Sequence, residues 1–151
     1  MIKKVKSCLS YQGFPGKNIV CVFCDSNGVF DNESIADMFP DAKARYDKSE
    51  HRIGHVVNCY GNERTVIADM VCFEDGKINY GYLYGCFLQV IMKAKKAEAN
   101  VLLASPGCKI TENQWNKIKP ILEGALEKEG PDTNVVVCLS NDNNVIRVRC
   151  A

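Results

Sequence analysis

At 151 residues, with 46% apolar and 25% charged residues, the chain is the length of one domain and carries enough apolar surface to bury a core without disulfides or metal. Nineteen basic against eighteen acidic residues leave a formal net charge of +1, too weak a field to point to nucleic acid or an anionic membrane as partner. Nine cysteines, an odd number, with no charged-then-apolar leader, fit a reduced cytoplasmic setting better than a disulfide scaffold, and no apolar run approaches the roughly 20 residues that span a bilayer.

In chain order, Ile2 to Leu9 alternates apolar and polar residues, which suits a half-buried or edge strand. A loop punctuated by Gly13, Pro15 and Gly16 follows. Ile19 to Cys24 is a continuous, largely β-branched run, as expected of a central strand covered on both faces. It ends in Asp25-Ser26-Asn27-Gly28, a cluster suited to a tight loop with positive φ. A helix then starts near Asn32 with Ile35, Ala36 and Phe39 on one face; Pro40 interrupts it, and Asp41 to Lys48 resumes the pattern. Ile53 to Cys59 and Arg64 to Phe73 read as two strands separated by a turn at Tyr60-Gly61-Asn62-Glu63. Glu74-Asp75-Gly76 closes the second.

A long helix from Asn79 to about Ala97 carries Leu83, Phe87, Val90, Ile91 and Ala94 at helical spacing, with Lys93, Lys95 and Lys96 complementing the dipole at its C-terminus. Val101 to Ala104 is a buried strand, followed by a turn at Pro106 and Gly107. Thr111 and Gln114 form a capping box for a last helix whose apolar stripe is Trp115, Ile118, Leu122, Ala125 and Leu126, stopping at Gly130. Asn134 to Leu139 is another buried strand, NDNN a turn, and Val145 to Val148 a short terminal strand. Helices between strands require crossovers, so the pattern predicts a single α/β domain over 1–151, with a mixed, mostly parallel sheet flanked by helices.

Several short motifs are better explained by packing than by chemistry. Cys21 and Cys24 match CxxC, but residues three apart in a strand point to opposite faces, and no second pair is present for zinc. Six cysteines (Cys21, Cys24, Cys59, Cys72, Cys86 and Cys138) sit in apolar runs as small hydrophobes. His51 and His55 lack the glutamate of a zinc-binding HExxH and read as surface histidines. Gly81 and Gly85 suggest close helix–sheet packing, and Tyr80, Tyr82 and Tyr84 the edge of the core. Two loops carry more weight. Asp25 to Phe30 and Ser105 to Glu112 each follow a buried strand and precede a helix, so each brings backbone N–H donors and a helix N-terminus to one rim.

The order of elements and the wording of these loops resemble the macro domains over nearly the whole chain. Within that family the chain looks most like the branch of ADP-ribose 1''-phosphate phosphatases and terminal ADP-ribose glycohydrolases, with its short phage and bacterial members. The resemblance rests on Val5-Lys6-Ser7-Cys8-Leu9-Ser10, on Cys24-Asp25-Ser26-Asn27-Gly28-Val29-Phe30 with Ile35-Ala36, Phe39-Pro40 and Tyr46, and on Lys77 to Leu83. The last piece is Pro106-Gly107-Cys108 with Trp115 at the family's spacing. The sequence departs from the family at Cys8, which stands where an adenine-binding aspartate is usual, at Asp31-Asn32-Glu33-Ser34 in place of a glycine-rich turn, and at Lys109 in place of a glycine. The lysine and aspartate of the glycohydrolases fall near Val71 or Cys72 and on Thr111, which implies that their mechanism is absent.

The resemblance implies a cleft for ADP-ribose or a related nucleotide diphosphate between the 25–34 and 105–112 loops. Ser26, Gly28, Val29 and Phe30 would line one side, and Ser105, Gly107, Cys108, Lys109, Ile110 and Thr111 the other, with no cofactor and no metal. Three functions are compatible with it. A binding module would use Lys109 to neutralise the phosphates and Phe30 to stack. A hydrolase, of phosphatase type rather than lysine-dependent, would use Asp25 as general base and Asn27 to orient ligand or water. A degenerate fold would have turned the cleft into a protein contact.

Overall fold

The computed structural model describes residues 2–5, 16–28, 39–103, 112–138 and 145–149. In chain order these form β1 (Ile2–Val5), β2 (Lys17–Asp25), α1 (Pro40–Lys48), β3 (Val56–Asn62), β4 (Thr65–Glu74), β5 (Lys77–Ile78), α2 (Tyr80–Ala97), β6 (Ala99–Leu103), α3 (Glu112–Glu129), β7 (Asn134–Cys138) and β8 (Val145–Arg149). The strands make one eight-stranded sheet in the order β1-β8-β7-β6-β2-β4-β3, with β5 beside β4. Its centre, β7-β6-β2-β4, is parallel, and β8, β3 and β5 run against it.

Strand β2 is buried from Asn18 to Cys24 because the sheet is covered on both faces there. Its side chains divide by parity, as a strand requires. Ile19, Cys21 and Phe23 join the larger core under α2 and α3, whereas Val20, Val22 and Cys24 join a smaller layer with Ala42 and Tyr46 of α1. Cys21 and Cys24 therefore lie on opposite faces, as the spacing predicts. The predicted apolar stripes of the two long helices, Leu83 to Ala94 and Trp115 to Leu126, are buried in the larger core.

Local chemistry fixes several boundaries differently from the sequence pattern. Pro40 opens α1 directly after the non-helical Phe39, since its fixed φ and missing N–H suit a first helical position. The β3–β4 hairpin turns at residues 63–64, and Gly61, expected in the turn, lies within β3 beside a register shift between Tyr60 and Asn62. The two-residue strand β5 has no counterpart in the sequence reading. Among the described residues Gly81 and Gly85 make no close helix–sheet approach: a Cβ on Gly85 would meet none of them within 4 Å, and one on Gly81 only Asn79 Oδ1 at 3.6 Å. The close approach is made by Gly130, where a Cβ would lie 2.6 Å from Thr133 Oγ1 and 3.0 Å from Ile91 Cγ2. Asn79 caps α2 by accepting from the Tyr82 N–H at 3.3 Å. The predicted helix start near Asn32 and the Thr111 capping box lie outside the described residues.

At the amino edge of the sheet three asparagines form a ladder across parallel strands. Asn100 Nδ2 donates to Asn18 Oδ1 at 3.1 Å, and Asn134 Nδ2 to Asn100 Oδ1 at 3.5 Å. Among the described residues no helix is long and apolar enough to cross a membrane.

Candidate functional site

After β2 the chain goes by way of α1 to β3 and β4 on one side of it, and after β6 it goes by way of α3 to β7 on the other. Adjacent parallel strands whose connections diverge create a crevice at their carboxyl ends. Here that position falls between β2 and β6, whose following residues are the two loops singled out in the sequence.

The described part of the first loop is held by backbone bonds. A register shift falls between Cys24, paired with Val71, and Asp25, paired with Phe73, and the Ser26 N–H donates to Phe73 O at 2.9 Å, so the start of the loop stays beside β4. The Gly28 N–H donates to Asp25 O at 3.2 Å, and Gly28 has φ +91°, a conformation that favours glycine. Both carboxylate oxygens of Asp25 accept backbone N–H groups, Oδ1 from Asn27 at 3.0 Å and Oδ2 from Gly76 at 2.9 Å. Asp25 thus ties the end of β2 to the turn after β4, 51 residues away in sequence.

A second support lies under the same loop. The Tyr46 hydroxyl donates to the Asp25 carbonyl, and its ring stacks on His51 with centroids 4.4 Å apart. His51 Nε2 lies 2.7 Å from Tyr46 O. The sequence reading placed both histidines at the surface; His55 is exposed, but His51 is partly buried in this stack. Neither Tyr46 nor His51 was singled out as a functional residue. The signal available was weak: Ala42 and Tyr46, four apart after a helix-opening proline, mark the buried face of α1.

Segment 51–54 continues past β3 alongside the end of β4, with the Gly54 N–H donating to Val71 O at 2.7 Å and Gln89 Nε2 to Gly54 O at 3.2 Å. Tyr82 packs on Gly54 and is 47% exposed, unlike Tyr80 and Tyr84, which pack against the core edge as expected. Beside the turn after β4 lies an open depression of about 700 Å³ lined by Glu74, Asp75, Lys77, Asn79 and Tyr80. A separate groove of about 610 Å³ opens near Asn18, Arg64 and Thr65, at the amino ends of the strands and away from the loop junctions.

Of the predicted site residues, Asp25, Ser26, Asn27 and Gly28 stand together at the carboxyl end of β2. Val29, Phe30, Ser105, Gly107, Cys108, Lys109, Ile110 and Thr111 lie outside the described residues. Val71 and Cys72, near the position of the glycohydrolase lysine, are fully buried. Trp115, part of the second-loop pattern, is 5% exposed and belongs to the core. Among the described residues no cluster of histidine, cysteine and carboxylate side chains could hold a metal ion.

One buried group was missed altogether. Asp69, in the middle of β4, is completely buried, and neither of its carboxylate oxygens has a hydrogen-bond partner among the described residues. It shares a face with Ile67 and Val71 of the smaller core layer, and burial pushes its carboxyl up to about 8. The same layer raises the Tyr46 hydroxyl and the Cys59 thiol, first by burial and then by the nearby acidic groups, Asp69 among them.

No protein-family model matches this sequence, and no curated relative matches it. Solved structures do. A macrodomain protein from Streptomyces coelicolor superposes with a TM-score of 0.74 over 87% of this chain and 94% of its own, at 17% identity. A protein of unknown function from Bacteroides thetaiotaomicron gives 0.72 over 88% and 94%, at 14% identity. The macrodomain of Thermus aquaticus DarG gives 0.61 over 83% and 91%, at 18% identity. The fold is that of the macrodomains. Identities this low carry the architecture alone.

Proposed function

We propose that the chain binds ADP-ribose or a related nucleotide diphosphate in a cleft between the 25–34 and 105–112 loops. The observation that carries this reading is the divergence of connections between β2 and β6, which sends both loops out at the carboxyl ends of neighbouring parallel strands. The macrodomain architecture supports it, as does the preformed turn at Asp25 to Gly28, whose positive-φ glycine lets a ligand approach the backbone. In this reading Gly107 to Thr111 lie around the phosphates, with Lys109 supplying charge, Asp25, Ser26, Asn27 and Gly28 stand near the distal ribose, and Phe30 of the same loop stacks on the ligand.

Binding ranks ahead of hydrolysis because the Asp25 carboxylate already accepts two backbone N–H groups, a positioning arrangement rather than that of a free base. Calorimetric titration with ADP-ribose is the direct test. Saturable heat with a rise in Tm is expected, and neither at millimolar ligand would remove this reading. Asp25→Ala is expected to weaken binding about tenfold, the worth of about 1.4 kcal/mol, by loosening the turn. Wild-type phosphate release from ADP-ribose 1''-phosphate, abolished in Asp25→Ala, would instead establish the phosphatase.

A further inference from the structure

We infer that the outer edge of β3 is the surface by which two copies of this chain pair, strand to strand and antiparallel, about a two-fold axis at Asn58. β3 ends the sheet, joined to β4 on one side and to no described residue on the other. His55 and Val71 continue the register set by Val56 and Met70, and the Val71 N–H donates to His55 O at 2.9 Å. An antiparallel ladder alternates, so the peptide groups of Val57 and Cys59 also turn toward β4, and those of Val56, Asn58 and Tyr60 turn away from it. Among the described residues the one bond to this outer row is weak: the Cys59 thiol donates to the Tyr60 carbonyl at 3.5 Å.

The two edges of the sheet differ in chemistry. β1, at the far end, has Lys3 and Lys4 among its four residues, the kind of charge that keeps an edge from recruiting another strand. β3 reads VVNCYGN, with no charge and no proline. It also leaves Tyr60 69% exposed, more than any other large apolar side chain among the described residues. Such an edge offers a second strand backbone bonds and apolar contact together.

The pattern is complementary to itself. With Asn58 on the axis, Asn58 meets its own copy, and Tyr60 of each chain meets Val56 of the other, all of them residues whose peptide groups face outward. These side chains share the face on which Val56 joins the core under α2. Tyr82 of α2 stands half exposed at the Val56 end of the edge, packed on Gly54. The two exposed tyrosines of one chain therefore mark opposite ends of the edge, and antiparallel pairing carries each Tyr60 to the end where Tyr82 of the other chain stands. The exposed charges flanking the strand, Arg52 before it and Glu63 with Arg64 after it, are of mixed sign, so the ends do not simply repel. An unrelated strand would need none of this two-fold match, which is why the occupant is a second copy. The proposed cleft stays open in the pair, because β4 separates β3 from β2. A seven-residue edge falls short of the roughly 1,200 Å² of a standard interface, so the dimer is reversible and depends on concentration.

Sedimentation equilibrium of the full chain, with its cysteines kept reduced, should pass from monomer to dimer between about 1 μM and about 1 mM. Asn58→Lys and Asn58→Asp alter an exposed side chain and set like charges opposite each other on the axis, so each alone should weaken the dimer about tenfold or more. Mixed in equal amounts, the two variants should pair with each other and recover the dimer. Thermal melts matching the wild type separate this effect from unfolding. Amide exchange of the wild type, read at low and at high protein concentration, should slow most at Val56, Asn58 and Tyr60 and least at Val57 and Cys59, already bonded to β4. A wild type still monomeric at the upper concentration, a dimer that both variants form as readily, or a mixture of the two that stays monomeric overturns the proposal. Where a variant melts early the exchange pattern decides alone, and no preferential slowing at the outward amides refutes the edge.

Discussion

A single buried carboxyl group makes the stability of the fold depend on pH. Asp69 has an ordinary value of 3.8 and is raised to about 8 by burial, with no hydrogen-bond partner among the described residues. Between those values the folded state holds one proton that the unfolded chain has released, so stability falls as pH rises through this window, by up to about 1.4 kcal/mol per pH unit, and levels off above it. Urea midpoints of the wild type are therefore expected to drop between pH 5 and 8, and those of Asp69→Asn to stay flatter. Equal slopes in the two proteins would assign the effect to other groups. Tyr46→Phe tests a different bond. It keeps the ring against the sheet and removes the hydroxyl from the Asp25 carbonyl. Faster hydrogen exchange at the Asn27 and Gly28 amides is expected, with a stability loss of about 1 kcal/mol. Exchange unchanged at both amides would show that the turn holds without it.

At the scale of elements, the helices among the described residues divide into two that pack by long stripes and one that does not. α2 and α3 bury continuous apolar faces, whereas α1 buries only Ala42 and Tyr46 besides the Phe39 that precedes it. A nine-residue helix is marginal alone, so α1 depends on those contacts with the sheet. The glycines give a paired test. Gly130→Ala should cost about 1–3 kcal/mol because its Cβ meets Thr133 and Ile91, while Gly85→Ala within α2, where a Cβ meets none of the described residues, should stabilise by up to about 1 kcal/mol. Thermal melts of the two variants should move in opposite directions, and a loss for Gly85→Ala would restore the close packing that the GxxxG spacing suggested.

These elements also show what the sequence can and cannot convey. Long stripes such as Leu83 to Ala94 and runs such as Ile19 to Cys24 announce themselves, because each side chain repeats the same decision about burial. The turn at Asp25 to Gly28 was legible for the same local reason, since its residue types suit few other conformations. Boundaries set by one residue were harder. Pro40 reads equally as a stop or a start until the buried Phe39 and Ala42 settle which. Asp69 sits in a strand pattern that would place it at a solvated position, and only the second layer under α1 buries it. The Tyr46–His51 stack depends on residues meeting across a helix end, and no spacing rule encodes that.

Over the whole molecule, the parallel centre β7-β6-β2-β4 is framed by antiparallel strands on both sides. Burial is most complete there, with Val20, Cys21, Val22, Ile67 to Cys72 and Leu102 within 0% of exposure. Native-state hydrogen exchange should be slowest for the β2, β4 and β6 amides and fastest for β3, whose Asn58 and Tyr60 are exposed. Comparable protection in β3 would indicate that its outer edge is covered. Addition of ADP-ribose is expected to slow exchange mainly at Asn27 and Gly28 and leave the amino ends of the strands unchanged, because the proposed cleft and the groove near Asn18 lie at opposite ends of the sheet.

The asparagine ladder at those amino ends bears on errors in assembly. Parallel strands β2 and β6 must find each other across 82 residues, with many near-correct alignments available on the way. A slip of two residues would keep every side chain on its proper face and so escape detection by hydrophobicity alone. It would, however, set Val20 opposite Asn100 and leave amide groups without partners, at about 1–3 kcal/mol each. Asn18, Asn100 and Asn134 thus act as a proofreading mark for alignment, and replacing Asn100 with valine should yield a protein that still collapses but refolds with a larger slow or misassembled fraction.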